Sequence, residues 1–235
     1  MNKLNPQTVA IEFEAEINKI LSYLSRTSTL LKNTTTEAAD LSLLNEHVFL
    51  TAAISFESVI SDLYFSYINK DSTLFIANKE QAIKKSIEES HGSWYANKIS
   101  IPHLKHISAG DLYPLLDPRG FNITFKNARQ MVSQAKKNLH PSFVCKYTAI
   151  TPNQRKIIDV IKAVRNYIAH RSDSAFEVMT KALSSLSNGQ SSSLGRCSSK
   201  RVRSIGAYLK TKTGTGMRTE VYLTAMKDIV NVIGC

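Results

Sequence analysis

Residues 43–68 read LLNEHVFLTAAISFESVISDLYFSYI, and the spacing of their apolar side chains predicts one long helix. An apolar stripe recurs at steps of three and four, which places its members on one helical face. The stripe consists of Phe49, Ala53, Phe56, Ile60, Leu63 and Tyr67. A helix of about 26 residues is roughly 39 Å long, which is typical of a rod in a helical bundle.

Three other segments have the same helical periodicity. The first covers residues 8–31, the next covers residues 152–186 with an expected break after His170, and the last covers residues 218–233. A shorter helix over residues 124–138 is also predicted. Because no segment alternates between apolar and polar residues as a strand would, we expect an all-α antiparallel helical bundle.

The chain is long enough for one large domain, and we expect residues 1–235 to form a single domain.

Two parts of the chain lack clear helical periodicity. Residues 90–150 hold most of the prolines and are interpreted as an elaborated, irregular and basic connection between the second helix and the helix that begins at Pro152. Residues 184–204 are rich in serine and are interpreted as a mobile basic loop.

The composition argues against several classes of protein. The cysteines Cys145, Cys197 and Cys235 are odd in number and far apart, so we expect neither a disulfide framework nor a zinc site. His103 and His106 are spaced for a metal but have no cysteine or carboxylate close by in the sequence, and we interpret them as surface histidines. We therefore expect no metal and no other cofactor.

Two further features of the sequence concern its location in the cell. No apolar run approaches the roughly 18 residues that a membrane span needs. The N-terminal residues lack the apolar centre of a signal peptide. We therefore expect a soluble, cytoplasmic protein that has no membrane partner.

The net charge of +11 is concentrated in two windows. Residues 118–158 and residues 178–219 each contain eight basic residues and no aspartate or glutamate, whereas the rest of the chain carries 14 basic and 19 acidic residues. Charge gathered in this way favours a polyanionic partner, although a basic surface that only improves solubility would look the same. In the second window we predict contacts to RNA at Arg196, Lys200, Arg201 and Arg203.

Residues 151–173, TPNQRKIIDVIKAVRNYIAHRSD, are the most informative about function. Thr151 is predicted to cap the helix, and Pro152 suits its first turn. Apolar residues form one stripe, which consists of Ile157, Ile161, Val164 and Ile168. A polar face carries Arg155, Asp159, Lys162, Asn166 and His170. Arg165 lies beside this face, and its long side chain can reach towards Asn166 and His170.

Arg165, Asn166 and His170 suit the cleavage of a phosphodiester. A histidine can move protons near neutral pH. An arginine can bind a phosphate and offset the charge that develops on its oxygens, and an asparagine can hydrogen-bond a phosphate, a ribose hydroxyl or the histidine ring. From periodicity alone, a solvated helix face without chemistry is the simpler interpretation.

The sequence RNYIAH, from Arg165 to His170, resembles the signature of the HEPN domain superfamily. In that signature a polar residue usually follows the arginine, and a histidine lies four to six residues beyond it. Residues 52–68, AAISFESVISDLYFSYI, are similar to the matching helix of HEPN subgroups found with prokaryotic defence systems. There an acidic residue lies close to the arginine and histidine, and here that residue is Glu57. The resemblance is good over residues 8–70 and 150–186.

The resemblance implies an endoribonuclease that needs no metal. In active HEPN domains the 2′-hydroxyl of RNA attacks the adjacent phosphate and leaves a 2′,3′-cyclic phosphate and a 5′-hydroxyl. Most act as homodimers whose motif helices share one cleft, in toxin–antitoxin modules or antiviral defence, so an antitoxin or another defence protein is a candidate partner. By this resemblance the catalytic residues are Arg165, Asn166, His170 and Glu57. We also predict that Arg171, which follows the histidine, helps to bind RNA.

Other functions stay open at this point. One is a non-catalytic HEPN module that binds nucleotide or RNA or serves as a dimerising scaffold; another is an unrelated nucleic-acid-binding protein that depends on its basic windows. The intact set of Arg165, Asn166 and His170 favours the ribonuclease, because a module without catalysis could lose either end residue. One HEPN toxin subgroup carries a tyrosine as a modification site two residues after the histidine; since Ser172 stands there, that modification is not implied.

Overall fold

The computed structural model describes residues 4–117, 123–186, 202–214 and 216–235. Within these ranges the chain forms eleven helices and one two-stranded antiparallel sheet, so the predicted all-α class is confirmed. The helices are α1 (Pro6–Leu30), α2 (Glu37–Lys70), α3 (Thr73–His91), α4 (Ser93–Ala96), α5 (Ala109–Leu116), α6 (Ala128–Asn138), α7 (Pro141–Thr148), α8 (Pro152–His170), α9 (Asp173–Ser185), α10 (Ile205–Lys210) and α11 (Arg218–Gly234). The strands are β1 (Lys212–Thr213) and β2 (Gly216–Met217).

Helix α2 is the central helix of the fold. All six members of its predicted apolar stripe are buried. Residues 63–69 are buried on every side of the helix, which is typical of a helix in the middle of a core. Helices α1, α8, α10 and α11 all pack against it.

Helix α1 runs antiparallel to α2. Near the middle of the pair, Ser55 Oγ donates a hydrogen bond to Glu16 Oε2 over 2.7 Å. At one end the N–H of Leu4 donates to Asn69 Oδ1 over 2.9 Å, and at the other end a short turn joins the two helices. This hairpin agrees with the first two helices that periodicity predicts.

Helix α11 runs parallel to α2 and closes the core. The rings of Phe49 and Tyr222 meet edge to face, with centroids 5.4 Å apart. Further along, the hydroxyl of Tyr67 donates to the backbone carbonyl of Ile233. The C-terminal helix is therefore bonded to α2 by both apolar and polar contacts.

The structure contains more helix than the sequence predicted. Residues 90–150, which we expected to be an irregular connection with one short helix, contain α4, α5 and α7 in addition to α6, which agrees with the helix predicted over residues 124–138. Helices α3 and α10 and the small sheet were not predicted. The expected break after His170 is present, because α8 ends there and α9 begins at Asp173. Most of the predicted serine-rich mobile loop, residues 184–204, lies outside the described residues.

Helix α2 is also the one described helix whose length and composition would allow it to cross a membrane. However, 61 % of its apolar window is buried inside the protein. A core helix has the same length and the same apolar composition. Packing in the bundle therefore accounts for the apolar character of α2.

Candidate active site

Two local signals fix the ends of α8, the helix that carries the RNYIAH sequence. At its start, the N–H of Gln154 donates to Thr151 Oγ1 over 3.2 Å, and Gln154 Oε1 accepts from the N–H of Thr151 over 3.0 Å. This reciprocal pair is a capping box. At its end, Arg171 has the left-handed backbone conformation, with φ of 51°, and its N–H donates to the carbonyl of Tyr167. His170 is therefore the last helical residue.

Arg165, Asn166 and Glu57 come together where α8 packs against α2. Arg165 Nη1 donates to Asn166 Oδ1 over 2.9 Å, and Arg165 Nη2 lies 3.7 Å from Glu57 Oε2. At 3.7 Å the charges attract, but the atoms do not form a hydrogen bond. The side chains of Arg165 and Glu57 are 29 % and 22 % exposed. Arg165 is thus loosely held by Glu57 and still reaches solvent.

This pair is not fully satisfied by protein groups. Among the described residues, Glu57 Oε1 and Arg165 Nε are buried and have no hydrogen-bonding partner. Proteins satisfy nearly all of their buried polar atoms, and catalytic groups are among the exceptions. The Arg165–Glu57 pair therefore differs from an ordinary structural ion pair, in which both side chains are fully hydrogen-bonded.

A small cavity adjoins Glu57 between α2, α8 and residues 123–127. Its volume is about 40 Å³, which is room for a few water molecules but not for a nucleobase. The walls are mainly apolar and include Phe56, Phe125 and Ile161. Apolar surroundings weaken dielectric screening, so the attraction between Glu57 and Arg165 is stronger than it would be on an open surface.

His170 lies one helical turn beyond Asn166, at the exposed end of α8. Its ring makes no hydrogen bond or ion pair with any other described residue. The structure therefore places three of the four predicted catalytic residues in contact and leaves His170 beside them, free to turn towards a substrate. Among the residues that the structure describes, no group orients the imidazole.

Arg171, which we predicted to bind RNA, is engaged within the protein. Its guanidinium forms an ion pair with Glu46 of α2 and lies over the ring of Tyr167, 5.3 Å from the centroid. RNA could recruit Arg171 only in competition with Glu46. Sequence reasoning missed Glu46 because it lies 125 residues from its partner, and no local pattern signals such a contact.

Most of the polar face of α8 is structural. Arg155 Nε donates to a backbone carbonyl of the preceding turn over 3.1 Å, and Lys162 donates to the carbonyl of Phe125. Asp159 accepts from the N–H of Ala128 over 2.7 Å. Burial raises the pKa of Asp159, and this hydrogen bond opposes the shift. These three side chains hold residues 123–128 and 148–150 on α8, so only Asn166 and His170 of that face are available for chemistry.

The described part of the basic windows includes an exposed surface on and beside α6. Its four basic side chains form no ion pair with a carboxylate among the described residues; they are Lys126, Arg129, Lys136 and Lys137. One end of this surface lies near the candidate site, because residues 123–127 line the cavity beside Glu57. The other end lies towards α3, where the carbonyl of Lys137 accepts from Asn78. Of the loop residues predicted to contact RNA, Arg203 is exposed. The others, Arg196, Lys200 and Arg201, lie outside the described residues.

The two histidines that are spaced for a metal have separate roles. His103 Nε2 pairs with Glu80 Oε2 over 2.7 Å, whereas His106 Nδ1 lies 2.6 Å from the carbonyl oxygen of Asn69. In the part of the chain that the structure describes, no three histidine, cysteine, aspartate or glutamate side chains form a group that could hold a metal ion.

Comparisons with known proteins add no relative to this description. No family model, no curated protein and no solved structure matches the chain. The resemblance to HEPN domains therefore depends on the RNYIAH sequence and on residues 52–68, and what it implies about activity is a proposal.

Proposed function

We propose that this protein is an endoribonuclease that cleaves RNA through attack of the 2′-hydroxyl on the adjacent phosphate and needs no metal. Arg165 binds the phosphate and stabilises the negative charge of the transition state. Asn166 positions the substrate, Glu57 holds Arg165 in place, and His170 transfers protons.

The reaction requires two proton transfers. The 2′-oxygen loses its proton as it bonds to phosphorus, and the 5′-oxygen gains a proton as the bond from phosphorus to that oxygen breaks. The products are a 2′,3′-cyclic phosphate and a 5′-hydroxyl. One imidazole can be the base or the acid in a given step, so a site with a single His170 lacks one of the two groups.

The observation that supports this function best is the arrangement at the end of α8. Arg165 is held against Glu57 and Asn166, and the unrestrained imidazole of His170 lies one turn further on the same helix. A phosphate-binding group and a proton-transfer group are thus presented together on a partly exposed surface. The exposed basic residues on and beside α6 would attract the RNA backbone.

A symmetric homodimer would complete the site. Two-fold symmetry would bring a second Arg165 and a second His170 to one cleft, which would provide both the acid and the base. On the HEPN resemblance alone, we place the enzyme in a toxin or antiviral-defence context, where an antitoxin or another defence protein would control it. A strict monomer at micromolar concentration in light scattering, with full activity, would contradict the dimer.

A second function is favoured by one observation. No described residue orients the His170 ring, so the described fold does not supply a preorganised catalytic group. A non-catalytic module that binds RNA or nucleotide, or serves as a dimerising scaffold, would have the same appearance. That function predicts that the protein binds RNA or nucleotide without cleaving it. Loss of His170 should leave this binding unchanged.

The test is RNA cleavage in the presence of EDTA by four proteins. Wild type and the control His47→Ala, which removes an exposed histidine of α2, should cut RNA alike. His170→Ala should lose about 10²–10⁴-fold in rate, as expected for a positioned acid or base, and should retain most RNA binding. Arg165→Ala should lose both binding and turnover. Cleavage that persists in His170→Ala, or that EDTA stops, would refute the assignment.

A further inference from the structure

Residues 79–105, which we name the α3–α4 arm, are largely exposed to solvent. Helix α3 buries only Phe75 and Ile76, which lie in its first turn, and most residues beyond position 79 are exposed. At Gly92 the backbone takes φ of 87°, which L-amino acids with side chains rarely adopt, and the chain reverses there into α4. The following residues return along α3, where His103 pairs with Glu80.

Two large aromatic side chains stand at the tip of this arm. Trp94 is 66 % exposed and Tyr95 is 58 % exposed, and their rings meet edge to face with centroids 5.0 Å apart. The ammonium of Lys98 lies 5.5 Å from the centroid of Trp94. The ring of His91 lies beside Tyr95, with centroids 6.3 Å apart.

Packing does not account for this exposure. Within α4 only Ala96 is buried, so the helix is anchored by its smallest side chain and presents its two largest ones to water. Isolated exposed apolar residues are common, but adjacent aromatic rings with a cation over one of them indicate a binding surface. Nucleobases are suitable occupants, because every base has a flat face that stacks on an aromatic ring.

The charges on the arm favour a polyanion over a second copy of the chain. The arm contains five lysines and three glutamates. Glu80 is paired with Lys84 and His103, and Glu89 faces Lys85. Lys98 forms no ion pair with a carboxylate among the described residues. A second arm placed against this tip would bring like charges together, whereas a phosphate backbone would neutralise them.

We propose that Trp94, Tyr95 and Lys98 form a stacking site for single-stranded nucleic acid. One or two bases would lie on the aromatic faces, and the ammonium of Lys98 would contact a neighbouring phosphate. Stacking uses the base and not the 2′-hydroxyl, so single-stranded DNA binds as well as RNA. The site therefore does not depend on the cleavage that we propose for α8.

Fluorescence can test this site directly, because Trp94 is the only tryptophan in the chain. The full-length protein is titrated with a 12-residue oligothymidylate, which has no 2′-hydroxyl, and with an abasic oligomer of the same length and charge. A base that stacks on the indole should quench its emission at concentrations where the abasic oligomer does not. Equal quenching by both oligomers would show that the contact is only electrostatic and would overturn the proposal.

Substitutions give a second readout, the anisotropy of a labelled oligothymidylate. Trp94→Ala and Tyr95→Ala should each weaken binding about tenfold, within the range known for loss of one stacked base, and Trp94→Phe should retain most of the affinity. Leu104→Ala, which removes an exposed apolar side chain of the same arm, is the matched control and should bind like wild type. Because both rings are exposed, circular dichroism should show an unchanged fold.

Unchanged oligonucleotide affinity in Trp94→Ala would also overturn the proposal. If light scattering showed a changed oligomeric state in the same variant, the tip would be a contact between copies of the chain. Failure of the wild type to cleave RNA would leave the stacking site untouched, so the two proposals fail separately.

Discussion

Replacing Glu57 by glutamine tests whether this carboxylate positions Arg165. The change keeps the size of the side chain but removes the negative charge 3.7 Å from Arg165 Nη2. Unit charges at that separation attract by about 4 kcal/mol at the effective dielectric constant of a protein surface. Desolvation and screening reduce partly exposed pairs to about 1 kcal/mol or less. We therefore expect Glu57→Gln to lower the free energy of unfolding by no more than this amount.

The energy of the Arg165–Glu57 ion pair also sets the expected effect of Glu57→Gln on the rate of cleavage. If the pair holds Arg165 in its working position, a loss of about 1 kcal/mol corresponds to roughly a fivefold lower rate. The rate is measured by single-turnover cleavage of an end-labelled RNA, and stability is measured by urea unfolding. Glu12→Gln, which changes an exposed carboxylate of α1, is the control and should match wild type. A wild-type rate in Glu57→Gln, combined with an inactive Arg165→Ala, would show that Arg165 works without Glu57.

Three further predictions concern the fold and the basic residues. Gly206→Ala places a Cβ 2.6 Å from the carbonyl oxygen of Ser42 and should lower the free energy of unfolding, measured in urea, by about 1–3 kcal/mol. The control is Gly214→Ala, whose Cβ has nothing within 4 Å, and it should change the free energy of unfolding little. Burial raises the pKa of Asp62, so the folded protein binds that proton more tightly than the unfolded chain and loses stability as pH rises through this pKa. Asp62→Asn should therefore gain stability relative to wild type as pH rises above about 4, the ordinary pKa of an aspartate. Identical pH dependence of the two proteins in urea would contradict this. The last variant replaces four loop residues by alanine, namely Arg196, Lys200, Arg201 and Arg203. It should bind many RNAs more weakly and to a similar degree, and the slope of log affinity against log salt concentration should fall by about 0.7 per lost phosphate contact. Unchanged affinity and an unchanged slope would show that the charge serves another purpose.

Periodicity and capping predicted the parts of the fold that have a strong local signal. The stripe of α2 is wholly buried, and Thr151 and Gln154 form the cap that begins α8. Helix α3 gave a weaker signal, because beyond its first turn its large apolar side chains are only Ile83 and Ile87, and neither is buried. The helix end at His170 depends on a left-handed Arg171 where glycine is the usual residue, and the sequence therefore indicated only a break.

The site was predictable only in part, because its side chains take partners from distant parts of the chain. Asp159 and Lys162 have the same periodicity as Asn166 and His170, yet they bond to backbone groups 31 and 37 residues away. Nothing in the local pattern separates a structural polar residue from a free one. The contact of Arg165 with Glu57 was expected from the resemblance of residues 52–68 and RNYIAH to HEPN helices, and not from spacing.

The most direct test of the ribonuclease proposal uses an oligonucleotide that is DNA at every position except one ribonucleotide. The wild-type protein is incubated with it in EDTA, and the products are identified by mass spectrometry. We predict one cut, on the 3′ side of the single ribonucleotide, which leaves a 2′,3′-cyclic phosphate on one fragment and a 5′-hydroxyl on the other, and no cut with His170→Ala. Cleavage at deoxyribonucleotide positions, or a 5′-phosphate at the cut, would show that the 2′-hydroxyl is not the nucleophile and would contradict the proposed mechanism.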